Sequence, residues 1–583
     1  MKIIKILWVL ISGLSLIAWT FLPDKGESEK NKPPVAVEKP VNHSVEFERK
    51  IHKIGDRVYS AVGYGLANSI MIEGVDGLII VDTLESNQAA EAVYAEFRKI
   101  SSKPVKAIIY THNHVDHVMG AKTFAGETRP DVYAHETTDA IVRDLLFKNR
   151  PIITTRSIRM FGNKLSQEEL QHSGIGSGLK LSSDATTGYL RPNKTFSETL
   201  ETTIAGVKLK LIHAPGETDD QLYVWLPELK VLISADNYYT SFPNLYTIRG
   251  TTYRNLESWY KSVDIIRDIK PEYLVPCHGR PLTGADTIYP MMTHYRDAIQ
   301  YVHDQGIRAM NQGLTADEMV ETIKLPGHLA SLPYLQEFYG KASWSLRSLF
   351  VGNLGWFSGD SADLQPLSRK AEARMMADLA GGTDKLLAHA KKNVEAGNNQ
   401  AALELTGHLL RLEPSNREAR FIRVRALKEL GKKEKNVNAR HYYLTEALEM
   451  SNERPVSMES KITPEQLAQF PIDSFMGMLP VNLNAQACMD AIKTVGIRFT
   501  DEHKDFTLII RRGIAEVRSG LPTEADILVE ANAQNFKEMV VKIRKPVSTL
   551  LSFSYEKGNS ISFGNVLQLF QLPVQKLAYQ SLQ

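Results

Sequence analysis

The run Thr111-His112-Asn113-His114-Val115-Asp116-His117 follows the apolar stretch Val105-Lys106-Ala107-Ile108-Ile109-Tyr110, and together they constrain what the first half of the chain can fold into. The apolar stretch predicts a strand. His112 and His114 are two residues apart, a spacing that points both side chains the same way in extended chain but not on a helix. They therefore leave a strand end side by side. Asp116 and His117 follow where the chain turns, with Asp116 expected to cap a helix over residues 118–124. Four N/O ligands within six residues exceed what one four-coordinate ion takes from so short an arc, which predicts two neighbouring metal ions. Left without metal, these polar groups would be buried or idle.

The surrounding pattern predicts the frame that holds such a site. Residues 54–62, 69–73 and 77–82 read as strands, with residues 74–77 as a hairpin turn. Residues 88–100 read as an amphipathic helix. Strand pairs, then helix, then strand and metal loop, predict an αββα sandwich of two packed sheets with helices outside. Asp82-Thr83 ends a strand near the same edge, either as a turn cap or as a carboxylate that orients a ligand. Residues 147–194 lack periodicity and are rich in Gly, Ser and Thr, a lid or a variable surface.

Three later clusters repeat the arrangement of a rigid strand delivering one polar group at its end. They are His213-Ala214-Pro215-Gly216-Glu217-Thr218-Asp219-Asp220, Val231-Leu232-Ile233-Ser234-Ala235-Asp236-Asn237 and Tyr273-Leu274-Val275-Pro276-Cys277-His278-Gly279. A lone histidine is usually a core or surface residue, so His52, His135, His172, His213, His294 and His303 take no role.

His112-x-His114-x-Asp116-His117, the Pro-Gly turn, and the strand-end Asp236 and His278 resemble the metallo-β-lactamase superfamily. A narrower resemblance is to its alkyl sulfatase branch. Glu217 stands where most of the superfamily has a third histidine, and Asn244-Leu245-Tyr246-Thr247-Ile248-Arg249-Gly250 is similar to the branch's sulfate-side segment. Tyr295-Arg296-Asp297, His303-Asp304-Gln305, Asn311-Gln312-Gly313, Tyr339-Gly340 and Leu354-Gly355-Trp356 resemble its dimerisation domain. One residue departs: Asp236 lies where the branch usually has Glu, although Asp is the common bridging residue elsewhere in the superfamily. The resemblance implies an αββα catalytic domain (residues 47–290), an all-helical dimerisation domain (291–432) and a small α+β sterol-carrier-like domain (460–583). It implies zinc-dependent hydrolysis of alkyl sulfate esters by a metal-bound hydroxide. His112, His114 and Glu217 would hold one Zn2+, and Asp116, His117 and His278 the other. Asp236 would bridge them, and with Asp116 carry the catalysis. Arg249, whose planar fork suits a tetrahedral oxyanion, would bind the sulfate with Asn244 and Tyr246. Attack at sulfur or at carbon, and the proton donor to the leaving alkoxide, stay open. A lactonase, a thioesterase, or an exported lipid-binding protein with an inactive metal site remain as alternatives.

Beyond the catalytic region, residues 383–395, 399–412 and 415–430 read as helices stopped by Gly397, Pro414 and Gly431. The Leu412-Glu413-Pro414-Ser415 junction resembles that of tetratricopeptide pairs, and the array serves a homodimer partner or scaffolds the domains. Residues 476–492 read as an amphipathic helix, followed by strands at 497–499, 506–511, 514–518 and 525–530 and a helix over 535–541. That unit is either a groove for an aliphatic chain or a packed core. Net charge of +2 on 583 residues excludes a nucleic-acid footprint. Two cysteines, Cys277 and Cys488, exclude a disulfide framework. Lys2 and Lys5 before the apolar residues 6–22 predict export, as a signal peptide (1–22) or an anchor giving membrane attachment, followed by a linker (23–46). The protein is then periplasmic or membrane-anchored.

Overall fold

The first sheet follows the chain order from β1 to β7: Lys50–Ile54, Val58–Val62, Ser69–Glu73, Leu78–Val81, Val105–Ile109, Asp131–His135 and Lys194–Phe196. These elements belong to a computed structural model that describes residues 43–148, 150–179, 185–452, 454–455 and 463–571. The export segment and all but the last residues of the linker lie outside the described residues. Among the described residues no helix is long and apolar enough to cross a membrane.

Strands β1 to β4 pair antiparallel, and β4 through β7 pair in parallel. The single strand expected over residues 54–62 is in fact a hairpin. Gly55 at φ +56° turns the chain so that β1 pairs with β2, a left-handed conformation that glycine adopts without steric cost. The second sheet has the order β13-β12-β11-β10-β9-β8. Its strands are Thr199–Ile204 (β8), Val207–His213 (β9), Leu222–Leu226 (β10), Val231–Ile233 (β11), Tyr273–Val275 (β12) and Leu282–Thr283 (β13); only β11 and β12 pair in parallel.

Period-two alternation assigns the layers. Ile79 and Val81 of β4 face the second sheet and pack with Leu209, Leu211, Val224 and Ile233. Ile80 faces outward onto Val93 and Phe97 of the helix Asn87–Ile100. On the far side Tyr223, Leu232 and Leu274 pack beneath Trp259 and Val263 of the helix Leu256–Ile269. The result is the expected αββα sandwich. Each such fully buried aliphatic side chain is worth roughly 1.5–3 kcal/mol over leaving it in water.

The segment expected to lack regular structure contains the helix Arg150–Phe161. Its pattern is hidden because buried Thr155 and Arg159 interrupt the apolar face. Arg159 donates from Nε and Nη2 to Glu449 Oε2 and Oε1 at 3.1 and 3.0 Å, a bidentate pair to the helix Val437–Asn452. Truncating one partner strands a buried charge. Arg159→Met is therefore expected to lower unfolding stability by roughly 3–5 kcal/mol, read by thermal or urea unfolding; an unchanged midpoint would show that the pair contributes nothing.

The helices Thr383–Glu395 and Asn399–Leu412 match the expectation residue for residue. The third runs Arg417–Lys433, capped by the Asn416 side chain. Gly431 does not stop it: a Cβ there would lie 2.9 Å from Leu444, so the glycine admits the next helix. The C-terminal sheet has the order β16-β15-β14-β17-β18, over Ile492–Phe499 (β14), Lys504–Arg511 (β15), Ile514–Ser519 (β16), Ile527–Ala531 (β17) and Ser554–Lys557 (β18). The helix expected over residues 476–492 is Ile472–Met478, followed by short 3-10 turns at Pro480–Asn482 and Ala485–Cys488. Pro480 has no N–H to continue the helix. A cleft of about 800 Å³ on this unit is lined by Asp473, Arg498, His503, Lys504 and Asp505 beside Phe499 and Phe506.

Candidate metal centre

Strand ends of both sheets converge on one edge of the sandwich. Asp82 follows β4, residues 111–117 follow β5, Asp236 follows β11 and His278 follows β12, while Glu217 sits in the turn between β9 and β10. Asp82 is the brace of this edge. Its Oδ1 accepts from the Thr111 N–H at 2.8 Å and its Oδ2 from the Thr111 hydroxyl at 2.8 Å. His117 Nδ1 lies 2.6 Å from the same Oδ2. That carboxylate fixes the imidazole so that Nε2 faces the cluster. The expected cap role of Asp116 is not met. In place of one helix over residues 118–124 there are two short ones, Val115–Val118 with His114 as its N-cap and Ala121–Ala125 with Gly120 as its N-cap, and Asp116 lies inside the first turn of the former. The early turn aims Asp116 at its neighbours instead, with Oδ2 3.4 Å from His117 Nε2 and 3.6 Å from His278 Nε2.

Asp236 occupies the middle. Its Oδ2 is 3.0 Å from His278 Nε2, 3.4 Å from His117 Nε2 and 3.7 Å from His112 Nε2. His112 Nε2 is 2.9 Å from His114 Nδ1, which lies 4.0 Å from Glu217 Oε1. The backbone supports these side chains from outside: His278 Nδ1 lies 2.9 Å from the Leu66 carbonyl. The Glu217 N–H donates to Asn237 Oδ1 at 3.3 Å. All seven residues expected as ligands are buried together; three of the groupings whose donor atoms lie within 4.8 Å of one another are His112–His117–Asp236, Asp116–His117–His278 and His114–Glu217–Asp236.

The donor set and its unmet valences fit metal ions. His117 Nε2, Glu217 Oε2 and Asp236 Oδ1 are buried with no hydrogen-bond partner among the described residues, and each such atom costs about 1–3 kcal/mol unless something binds it. Electrostatics agree. Burial pushes Asp116 upward, but the adjacent His117 and His278 outweigh it and hold the carboxyl at about 2. Asp236 is likewise held well below its ordinary range against its burial, by His278, His117 and His112. The same carboxylates raise His117 and His278 against their own burial. Burial, with His117 beside it, lowers His112 to about 4. The same carboxylates thus favour positive charge at His117 and His278, and a metal ion bound there would have to displace any proton they carry.

Of the expected sulfate-side residues, Arg249 reaches the cluster, with Nη2 3.1 Å from His114 Nε2. Asn244 is wholly buried and neither polar atom of its side-chain amide has a partner among the described residues, while its backbone N–H donates to the Tyr239 hydroxyl at 2.7 Å. Tyr246 is half-buried, and among the described residues no hydrogen bond or ion pair joins it to the histidines. His213, given no role, lies apart, its Nε2 2.7 Å from the Asp219 carbonyl. Sequence reasoning missed Arg254, whose Nη1 is 2.7 Å from Glu217 Oε1. It also missed Asp220, which accepts from Asn113 and Thr138 at 2.6 and 2.7 Å and steadies the loop. A carboxylate in a histidine's place needs a counter-cation, and that need was the available signal for Arg254.

Comparison with known proteins agrees with the geometry. Residues 62–278 match the family described as metallo-beta-lactamase superfamily, and residues 315–453 match alkyl sulfatase dimerisation. The chain is 39% identical over 470 residues to a linear primary-alkylsulfatase of Pseudomonas sp. (strain ATCC 19151), covering 77% of this chain and 88% of that one. It is 29% identical over 536 residues to an alkyl/aryl-sulfatase of Saccharomyces cerevisiae, covering 89% and 82%. The solved structure of a stereoselective inverting sec-alkylsulfatase from Pseudomonas sp. superposes with a TM-score of 0.83 at 24% identity, covering 91% and 85%, which shows a shared fold.

Proposed function

The chain belongs to the alkylsulfatase family, and from that premise we propose that it is a metal-dependent hydrolase releasing inorganic sulfate from alkyl sulfate esters. The observation that carries the proposal is Asp236 Oδ2 facing three imidazoles at 3.0–3.7 Å, with Arg249 beside them. His112, His114 and Glu217 would hold one zinc ion, and Asp116, His117 and His278 a second, with Asp236 between. When bound, such ions polarise an ester oxygen and lower the pKa of water toward neutrality.

This chain's own groups then do the rest. Arg249 would pair with the sulfate oxygens and balance charge as the ester bond breaks. Asn244, through its unpartnered amide, and Tyr246 would add neutral donors. His114, Asp116 and Arg249 keep some exposure, so the anion would approach from their side. Asp82 keeps His117 oriented. The sterol-carrier-like likeness of residues 460–583 belongs to the same proposal, the aliphatic tail being what such a domain would hold. Export through residues 1–22, to the periplasm or to a membrane anchor, is tested by the N-terminal residue of the mature protein.

The deciding experiment counts bound zinc in the purified chain and follows sulfate release from dodecyl sulfate with and without a chelator. Release that stops on chelation and returns with zinc is expected. No sulfate from primary or secondary alkyl sulfates, in protein carrying its metal, would overturn the proposal.

A homodimer is also proposed. Val351 and Leu354 of the helix Ala342–Leu354, Trp356 just beyond its end and Leu379 of the helix Arg369–Ala380 are 55, 57, 70 and 78% exposed, apolar side chains that a second copy of the chain would cover. Trp356→Glu with Leu379→Glu is expected to turn a dimer into a monomer in sedimentation, whereas an unchanged dimer would place the interface elsewhere.

A further inference from the structure

Glu217 poses an electrostatic problem that a histidine at the same place would not. An imidazole enters a buried site neutral, whereas a carboxylate carries a charge that must be paired to be buried at all. Glu217 and Arg254 are 2% and 3% exposed, and Arg254 Nη1 lies 2.7 Å from Glu217 Oε1. That same Nη1 donates to the Asn244 carbonyl at 2.5 Å, which ties the guanidinium to the arm carrying Arg249. With Oε1 so engaged, Oε2 is the Glu217 oxygen left without a hydrogen-bond partner among the described residues.

Each partner is fixed by its backbone neighbours, although Arg254 Nε and Nη2 have no hydrogen-bond partner among the described residues. Arg254 stands just before the helix Leu256–Ile269, capped by the Asn255 side chain and anchored by buried Leu256 and Trp259. Glu217 is gripped at its other end by Asn237, whose Oδ1 accepts the Glu217 N–H and whose amide nitrogen donates to the Ala214 carbonyl at 2.9 Å and the Tyr223 hydroxyl at 2.8 Å. Gly216 leaves room for this grip, since a Cβ there would lie 2.0 Å from Asn237 Oδ1.

We infer that Arg254 is the positioning residue that makes a carboxylate serve as a metal ligand at residue 217: it supplies the counter-charge and engages Oε1, leaving Oε2 unpartnered. The inference rests on the metal reading above. It requires that the need for Arg254 vanish once residue 217 is a neutral histidine.

The test is zinc stoichiometry and chelator competition, with zinc as the only probe, on wild type, Arg254→Met, Arg254→Lys, Glu217→His and the double variant Arg254→Met/Glu217→His. Circular dichroism establishes that each is folded. Arg254→Met is expected to weaken one of two zinc equivalents by about tenfold or more, the range for losing an outer partner of a ligand, and Arg254→Lys to recover part of it. The double variant is expected to hold zinc within about threefold of Glu217→His. Wild-type zinc retention by folded Arg254→Met overturns the inference while leaving the hydrolase reading intact. Should Arg254→Met fail to fold, the double variant decides: folding and zinc binding like Glu217→His supports the inference, and failure beside a folded Glu217→His makes Arg254 a structural residue and overturns it. Wild type that binds no zinc defeats the metal reading itself.

Discussion

Asp236→Asn is expected to lose at least one metal equivalent and to lower sulfate release by about a thousandfold or more, equivalent to ~4 kcal/mol in the transition state. The change is nearly isosteric, so shape is preserved and only charge and one lone-pair set are lost. Asp236 Oδ2 is the atom to which His278, His117 and His112 all turn, at 3.0, 3.4 and 3.7 Å. Asp236 is also what raises His278 and His117 most, against their burial. A neutral amide there removes the one anion that all three imidazoles share, leaving His278 to Asp116 and His117 to Asp116 and Asp82, and metal ions in their place would be worse served still. Asp236→Glu separates charge from reach. It restores the residue usual in the alkylsulfatase branch, so metal is expected to stay and turnover to change by less than about tenfold. Asp236→Asn that keeps both metal content and turnover would show that the site works without an anionic centre, against the proposed arrangement. Metal content and sulfate release, measured on the same preparations, decide between these outcomes.

How much of this was readable in the sequence depends on how local each signal is. His112 and His114 were placed side by side from their two-residue spacing, and they do meet, at 2.9 Å, although the chain already bends over residues 111–113. Asp236 and His278 each follow an apolar run, so the same logic reached their clusters, whereas Glu217, behind a Pro-Gly turn, was singled out by the family resemblance. Asp116 was misread as a cap because Asp is common there, yet the helix it sits in, Val115–Val118, is too short for that preference to decide anything. Partners that meet only through the fold leave no periodic trace. Arg159 and Glu449 are separated by 290 positions, and the buried arginine disguises its own helix by breaking the apolar face. Arg254 lies in a stretch with no pattern of its own, just before a helix. Its role is visible only when Glu217 is seen to be buried. The helical array was legible to the residue at Thr383–Glu395 and Asn399–Leu412 because helix length and end signals are local, whereas Gly431, a stop by propensity, is in the fold a contact with Leu444.

Arg249→Ala is expected to lower kcat/KM for alkyl sulfates by about 10²–10³-fold, the usual cost of removing a preorganised donor from developing charge, with zinc content unchanged. The separation of those two readouts is what the geometry demands. Arg249 touches the cluster only through Nη2, 3.1 Å from His114 Nε2, on the nitrogen away from Glu217. Its removal therefore takes no hydrogen bond from the carboxylates or from the central Asp236. Its guanidinium is pushed below its ordinary range by burial, with Arg254 acting in the same sense and Tyr339 and Glu217 against it. A second cation so close is poorly compensated by the protein alone, and a bound anion would relieve it. Arg249→Lys should recover little, because a compact ammonium on a flexible stem cannot offer the two parallel N–H groups that match a pair of sulfate oxygens. Loss of metal in Arg249→Ala would make the residue part of the metal shell, and kcat/KM within about threefold of wild type would remove the sulfate role. The residue separates the specific proposal from the general one: a hydrolase of neutral esters built on the same sandwich would keep its turnover without Arg249, whereas a sulfatase would keep its metal and lose its substrate.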